Sequence, residues 1–209
     1  MVAQTEFKEL LISLNRMGVQ KAIQQTSTQF TPIHAIETLV VPTLEEIGAG
    51  WENGTISLSQ VYMCGKICEE MLDEILPPGD ASRITQPPMA IVVLDDFHML
   101  GKRIVYSLLR SSGYDLLNYD HMDIDTLIRQ IQKDHIKILL ISVLMLPSAL
   151  HIKELRRLLD GLKYPLKIIV GGAPFRFDDQ LWKEVGADAA GRNAADAVSL
   201  VEQMIKEVK

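Results

Sequence analysis

Only two cysteines, Cys64 and Cys68, occur in 209 residues, so no disulfide framework holds this chain together, and a reducing compartment suits it. Basic residues do not predominate either. The formal net charge is −6, which excludes nonspecific attraction to nucleic acid or to an anionic membrane surface. No apolar run approaches the ~18 residues of a spanning helix. Met1 to Leu11 carries Glu6 and Lys8 rather than the basic-then-apolar order of a signal peptide. Nucleophile-elbow, phosphate-loop and nucleic-acid signatures are missing, as are internal repeats and low-complexity tracts. What remains is a chain 47% apolar and 23% charged, long enough to bury a sizeable core as one large domain or two small ones. The expected location is cytoplasmic, with no nucleic acid and no membrane among the partners.

Two Pro-Pro pairs, Pro77-Pro78 and Pro87-Pro88, bracket a stretch poor in apolar residues. Proline fixes its own φ and biases the preceding residue toward extended conformations, so this stretch predicts a semi-rigid linker. The expected division is a helical domain over 1–80, a linker over 81–88 and a second domain over 89–209. Upstream, Phe7, Leu10, Leu11 and Leu14 keep one helical face apolar. Thr31-Pro32 is a helix start, and Ile33, Ile36, Val40, Leu44 and Ile47 continue at helical spacing, with Pro42 expected to bend or interrupt them. Ser57 and Gln60 form a capping box ahead of the stripe Val61, Cys64, Cys68, Met71 and Ile75, on which both cysteines read as buried structural thiols. About four helices without a strand signal predict a small bundle.

Downstream the period changes. Met89 to Leu94, Ile138 to Ile141 and Leu166 to Val170 are continuous apolar runs suited to strands buried on both faces, with weaker candidates at Leu116-Leu117 and Ala187 to Ala190. Amphipathic helices intervene, marked by Ile104 and Leu108, by Ile124, Leu127, Ile128 and Ile131, by Leu155, Leu158 and Leu159, and by Val198, Val201, Ile205 and Val208. Repeated βα units predict a parallel sheet covered on both faces, which binds ligands beyond the carboxyl ends of its strands. Those loops begin with Asp95-Asp96-Phe97-His98-Met99-Leu100-Gly101, with Ser142-Val143-Leu144 and with Gly171-Gly172-Ala173-Pro174. They supply a carboxylate two residues from an imidazole, a hydroxyl, and two residues without side chains. A metal-bound histidine usually has its other ring nitrogen held by a carboxylate, and adjacent glycines let a ligand approach backbone closely. His34, His121, His135 and His151 form no ligand spacing with one another. Lys153, Arg156 and Arg157 read as a solvated face.

D-x-H-x-x-G (Asp96, His98, Gly101), S-x-L (Ser142, Leu144) and G-G (Gly171-Gly172), in that order on the right strands, resemble the cobalamin-binding domain of corrinoid methyltransferase proteins. Gly186-Ala187-Asp188 extends the resemblance, and Gly48, Trp51, Gly54 and Ile56 are similar to the cap domain's glycine–tryptophan–glycine signature. Nearly the whole chain is covered. It resembles the corrinoid subunits of methanol, methylamine and aryl-ether demethylating (O- or N-demethylase) systems, and the cobalamin-binding module of methionine synthase. The resemblance implies a four-helix cap plus a Rossmann-like (flavodoxin-like), doubly wound, five-stranded parallel sheet. It implies that cobalamin binds with its own base displaced and with His98 as lower cobalt ligand through Nε2. Asp96 would accept from Nδ1–H and relay toward Ser142, while Gly171 and Gly172 would line the slot for the nucleotide tail. Phe97, Met99, Gly101 and Leu144 complete the cofactor-binding set. Trp51 is either bundle core or a residue over the upper face of the corrin.

The implied function is a methyl carrier cycling between Co(I) and methyl-Co(III), incomplete as an enzyme by itself. Its partners would be a substrate-specific methyltransferase, a methyltransferase acting on tetrahydrofolate or a related acceptor, and a reductive activase. Four segments depart from the family pattern. Asp95 stands in place of glycine, Met99-Leu100 in place of Asp-Ile, Tyr119-Asp120 in place of Leu-Gly, and Met145, Leu146 and Pro147 in place of threonines. The alternatives are a cobalamin sensor and a degenerate fold that no longer holds cobalamin. Sensors commonly carry Glu-His where this chain has Val61-Tyr62, and they add a DNA-binding module that is not expected before residue 1.

Overall fold

The computed structural model describes residues 3–75 and 86–208. The chain forms two compact units, Met1–Pro77 and Pro78–Lys209. Residues 76–85, which include 81–85 of the expected linker, lie outside the described residues. Among the described residues no helix is long and apolar enough to cross a membrane.

The first unit contains α1 (Gln4–Ile12), α2 (Arg16–Gln29), α3 (Pro32–Ala35), α4 (Val41–Glu52) and α5 (Leu58–Ile75). α3 and α4 belong to one rod joined by a π-helical turn, Ile36–Val40, so the described helices make four rods. The interruption expected at Pro42 therefore takes a specific form. Proline offers no N–H to the carbonyl four residues back, and the helix widens just upstream, where the Val41 N–H bonds Ile36 C=O. Thr31 Oγ1 caps α3 by accepting from the His34 N–H at 3.1 Å. The Ser57–Gln60 box is formed reciprocally, Ser57 N–H to Gln60 Oε1 at 3.0 Å and Gln60 N–H to Ser57 Oγ at 3.3 Å. Phe7, Leu11, Ile23, Ile36, Ile47, Cys64, Ile67 and Cys68 fill the core. Two expectations change. Leu14 lies past the end of α1 with φ +56° and is exposed, and Trp51 is 45% exposed, so it is not bundle core.

The second unit is a five-stranded parallel sheet in the order β2-β1-β3-β4-β5. Its strands are β1 (Met89–Leu94), β2 (Leu117–Met122), β3 (Ile138–Ser142), β4 (Lys167–Gly171) and β5 (Ala189–Gly191). They alternate with α6 (Leu100–Ser111), α7 (Ile124–Lys133), α8 (Leu146–Gly161), the short helices α9 (Ala173–Phe177) and α10 (Leu181–Glu184), and α11 (Asp196–Val208). Successive side chains feed two cores. Val92, Leu94, Leu139, Ile141, Ile168 and Val170 pack with Leu127 of α7 and Leu155 of α8. Ile91, Leu140 and Ile169 pack with Leu109 of α6 and Val201 of α11. This double burial accounts for the continuous apolar runs. β2 is an edge strand, which is why Asn118, Asp120 and His121 could interrupt it and weaken its signal.

Arg156 corrects the expectation of a solvated face on α8. Its guanidinium donates to Gly186 C=O at 2.7 Å, Leu166 C=O at 3.0 Å and Asp188 Oδ2 at 2.5 Å. Asp188 in turn accepts from the Ile168 N–H at 2.8 Å. Gly186-Ala187-Asp188 thus joins α8 to the starts of β4 and β5.

Candidate corrinoid site

All five strands run the same way, so the loops after β1, β3 and β4 meet at one edge. In this strand order, β1 and β3 are the neighbours whose connections diverge, the switch point at which such sheets take ligands. Asp96 sits there, on the loop after β1. Its side chain is 1% exposed, yet every acceptor position is served. Oδ1 accepts from the backbone N–H of Phe97 at 2.7 Å and of His98 at 3.1 Å, and lies 2.5 Å from His98 Nδ1. Oδ2 accepts from the N–H groups of Leu144 and Met145, at 2.7 and 3.1 Å. One buried carboxylate therefore ties the β1 loop to the β3 loop. It also fixes the His98 ring, whose side chain is 47% exposed. With Nδ1–H donated, the lone pair of the imidazole is on Nε2, the form a metal takes.

Burial works against ionisation of Asp96, but the bonds from the His98 ring and from the Leu144, Met145 and His98 backbone outweigh it and hold the carboxyl well below the usual carboxylate range. A group depressed in this way stabilises the fold fully above its unfolded pKa of about 3.9, and the contribution is lost as pH falls through the lower folded value. Asp96→Asn places an NH2 against donors. It should lower stability at pH 7 by about 1–3 kcal/mol, measured by thermal unfolding. The gap to the native protein should narrow as both are acidified below about pH 4.

The other expected site residues divide into two groups. Ser142 and Gly171 are the last residues of their strands rather than loop residues, and they are paired neighbours in the sheet. Gly101, in the first turn of α6, approaches Ser142 so closely that a Cβ there would lie 3.1 Å from Ser142 Oγ. Gly101, Ser142 and Gly171 thus make an edge of small residues beside the Asp96–His98 pair. Gly172 follows at φ +123°, and a Cβ on it would fall 1.7 Å from Val143 C=O, so glycine is required there by the backbone. Met99 stands at the N-cap position of α6 without a side-chain capping bond, and Leu144 acts through its backbone N–H. Phe97 stands apart. It is 76% exposed, and its ring lies 4.6 Å from that of His121 on β2. Toward the β3 end, Asp96 Oδ2 is bonded by the Leu144 and Met145 amides, and Ser142 stands beside them at the end of the strand. Sequence reasoning missed those two amides, which carry no side-chain signature. It also missed Ser148 and His151 of α8, which bond Asp95.

The B12 binding domain family matches residues 87–199, and a second B12 binding domain family matches residues 3–76. This chain is a member of the B12-binding-domain family. Dimethylamine corrinoid protein 2 of Methanosarcina mazei is 26% identical over 207 residues, spanning 96% of this chain and 95% of the relative. The structure of the Methanosarcina barkeri monomethylamine corrinoid protein superposes with a TM-score of 0.81 at 25% identity, over 95% of this chain and 96% of that one. The methanol:cobalamin methyltransferase complex MtaBC of Methanosarcina barkeri shares the fold, with a TM-score of 0.53 at 18% identity over 96% of this chain and 78% of that one. The fold is thus that of corrinoid proteins, and the ligand is a corrinoid. The residues present fit that group. An imidazole oriented by a buried carboxylate stands beside an edge where Gly101 and Gly171 present no Cβ.

Proposed function

We propose that the chain is a methyl carrier in a methyltransferase system acting on a methylamine or a similar methylated substrate. The observation that carries this reading is the Asp96–His98 pair at the switch point, in a chain whose similarity to methylamine corrinoid proteins runs nearly end to end. When bound, the corrinoid's cobalt accepts and releases the methyl group. The chain's own residues do the rest. His98 presents Nε2 as the lower ligand, and Asp96 keeps the Nδ1 proton in place and so sets the basicity of the ring. Gly171 and Gly172 line the slot for the tail, with Gly101 and Ser142 beside them. The helical domain, 1–80, serves as a cap connected by the 81–88 linker to the 89–209 binding domain. Trp51, Leu58 and Tyr62 are exposed apolar side chains of that domain. A substrate-specific methyltransferase loads the carrier, a second methyltransferase unloads it, and a reductive activase restores it, all in the cytoplasm.

The test uses protein loaded with hydroxocobalamin, reduced, and incubated with extract of its source cells and carbon-14-labelled methylamines or methanol. Re-isolated protein should carry one labelled methyl group per corrinoid. Corrinoid bound without label from any of these donors would reject the carrier reading and favour a sensor.

A further inference from the structure

The ligand loop begins at an unusual residue. Asp95 has φ +45°, a left-handed conformation that glycine adopts freely and aspartate tolerates at some cost. It is held there from three sides. Its N–H donates to Met122 C=O of β2 at 3.0 Å, and its C=O accepts from Ser148 Oγ of α8 at 2.8 Å. Its Oδ2 lies 2.8 Å from Nδ1 of His151, one turn further along α8. The first two contacts use only backbone atoms of residue 95, so glycine would make them equally well. The third needs a carboxylate. His151 has no place in the binding chemistry described above. Its side chain is 52% exposed, and its ring is turned to Asp95.

We infer that His151 is a positioning residue for the cobalt-ligand loop: by donating Nδ1–H to Asp95 Oδ2 it holds residue 95 left-handed and thereby fixes Asp96 and His98 against the start of α8. An isolated surface pair of this kind contributes little. This one is the side-chain arm of a three-point attachment on the residue next to Asp96. Asp96 grips the same β3–α8 segment through the Leu144 and Met145 amides. The two carboxylates therefore fasten the loop at adjacent residues, one to the approach of α8 and the other to its second turn. Without the His151 bond, residue 95 keeps its backbone cost and loses the compensating contact. The next peptide then relaxes, and with it the Phe97 and His98 amides bonded to Asp96 Oδ1. The consequence for cobalt rests on reading His98 as its ligand, whereas the clamp itself does not.

Two measurements separate these claims. In corrinoid-free protein, hydrogen exchange at the Phe97, His98, Leu144 and Met145 amides should quicken about fivefold in His151→Phe, because fewer interactions oppose local opening. His151→Asn should restore native exchange, since its Nδ2 occupies the place of the imidazole Nδ1. In cobalamin-loaded protein, the fraction of Co(II) showing histidine-nitrogen hyperfine structure should fall in His151→Phe and recover in His151→Asn. Unchanged exchange in His151→Phe, or failure of His151→Asn to restore it, overturns the clamp. Quickened exchange with no histidine hyperfine in the native protein upholds the clamp and removes only its link to cobalt.

Discussion

His98→Ala should abolish histidine-derived nitrogen hyperfine structure from the Co(II) form of the cobalamin-loaded protein and weaken corrinoid binding on the order of a hundredfold. The size of the effect follows from what the ring does and what surrounds it. Asp96 spends its burial cost on a geometry in which Nδ1 is held and Nε2 is presented. Alanine leaves that arrangement without an imidazole, and the Asp96 carboxylate keeps its four backbone donors, from Phe97, His98, Leu144 and Met145. The loop should therefore stay folded, so loss of binding will report on the missing ligand. Electron paramagnetic resonance on protein grown with nitrogen-15 histidine distinguishes a protein ligand from the nitrogen of the cofactor's own base. Histidine coupling that persists in His98→Ala, or that is missing from the native protein, would remove His98 from the role.

Asp96→Asn should behave differently, and the contrast is informative. The amide can still accept through its oxygen, so His98 remains near its place, but the NH2 meets donors where the carboxylate met them with acceptors. Stability should fall more than ligation does. A protein in which both variants lost hyperfine equally would have Asp96 acting as part of the ligand and not only as its support.

The elements legible in the sequence were those whose side chains carry the signal. β1, β3 and β4 are apolar on both faces, and their runs of Val, Ile and Leu stand out; β2 pairs on one side only, and its Asn118, Asp120 and His121 hid it. The π turn before Pro42 was visible as a break but not in its form, because the widening depends on which carbonyl lacks a donor. In the site, Asp96 and His98 were legible from their spacing. The amides of Leu144 and Met145 were not, since every residue but proline has an N–H, and only the fold decides which of them converge. Asp95 offered one clue, a second carboxylate directly before the Asp96–His98 motif. Its partner His151 is 56 residues away and carries no motif. Arg156 looked solvated because a charged residue on an amphipathic helix usually is, but three oxygens converge on it from the turns around β4 and β5.

The two adjacent glycines looked equivalent in sequence, and the structure separates them, which yields the other large expected effect. At Gly172 an added Cβ meets Val143 C=O at 1.7 Å and φ is +123°, so any substitution there strains the backbone and cannot isolate a ligand contact. Gly171 has no such constraint. It ends β4 between Ser142 and Gly191, and a Cβ would make only ordinary contact, 3.7 Å from Gly191 C=O. Gly171→Leu should leave the sheet intact while placing side-chain volume at the strand ends where the nucleotide tail is proposed to run. We expect cobalamin affinity to fall about ten- to a hundredfold, the cost of overfilling a fitted space. Cobinamide, which has the corrin ring but no nucleotide tail, should bind native and variant protein alike. Absorbance titrations with the two corrinoids, alongside circular dichroism, make the comparison. Equal losses for both ligands would place the obstruction under the ring instead of the tail. Unchanged cobalamin affinity in a normally folded variant would mean that the tail does not pass Gly171.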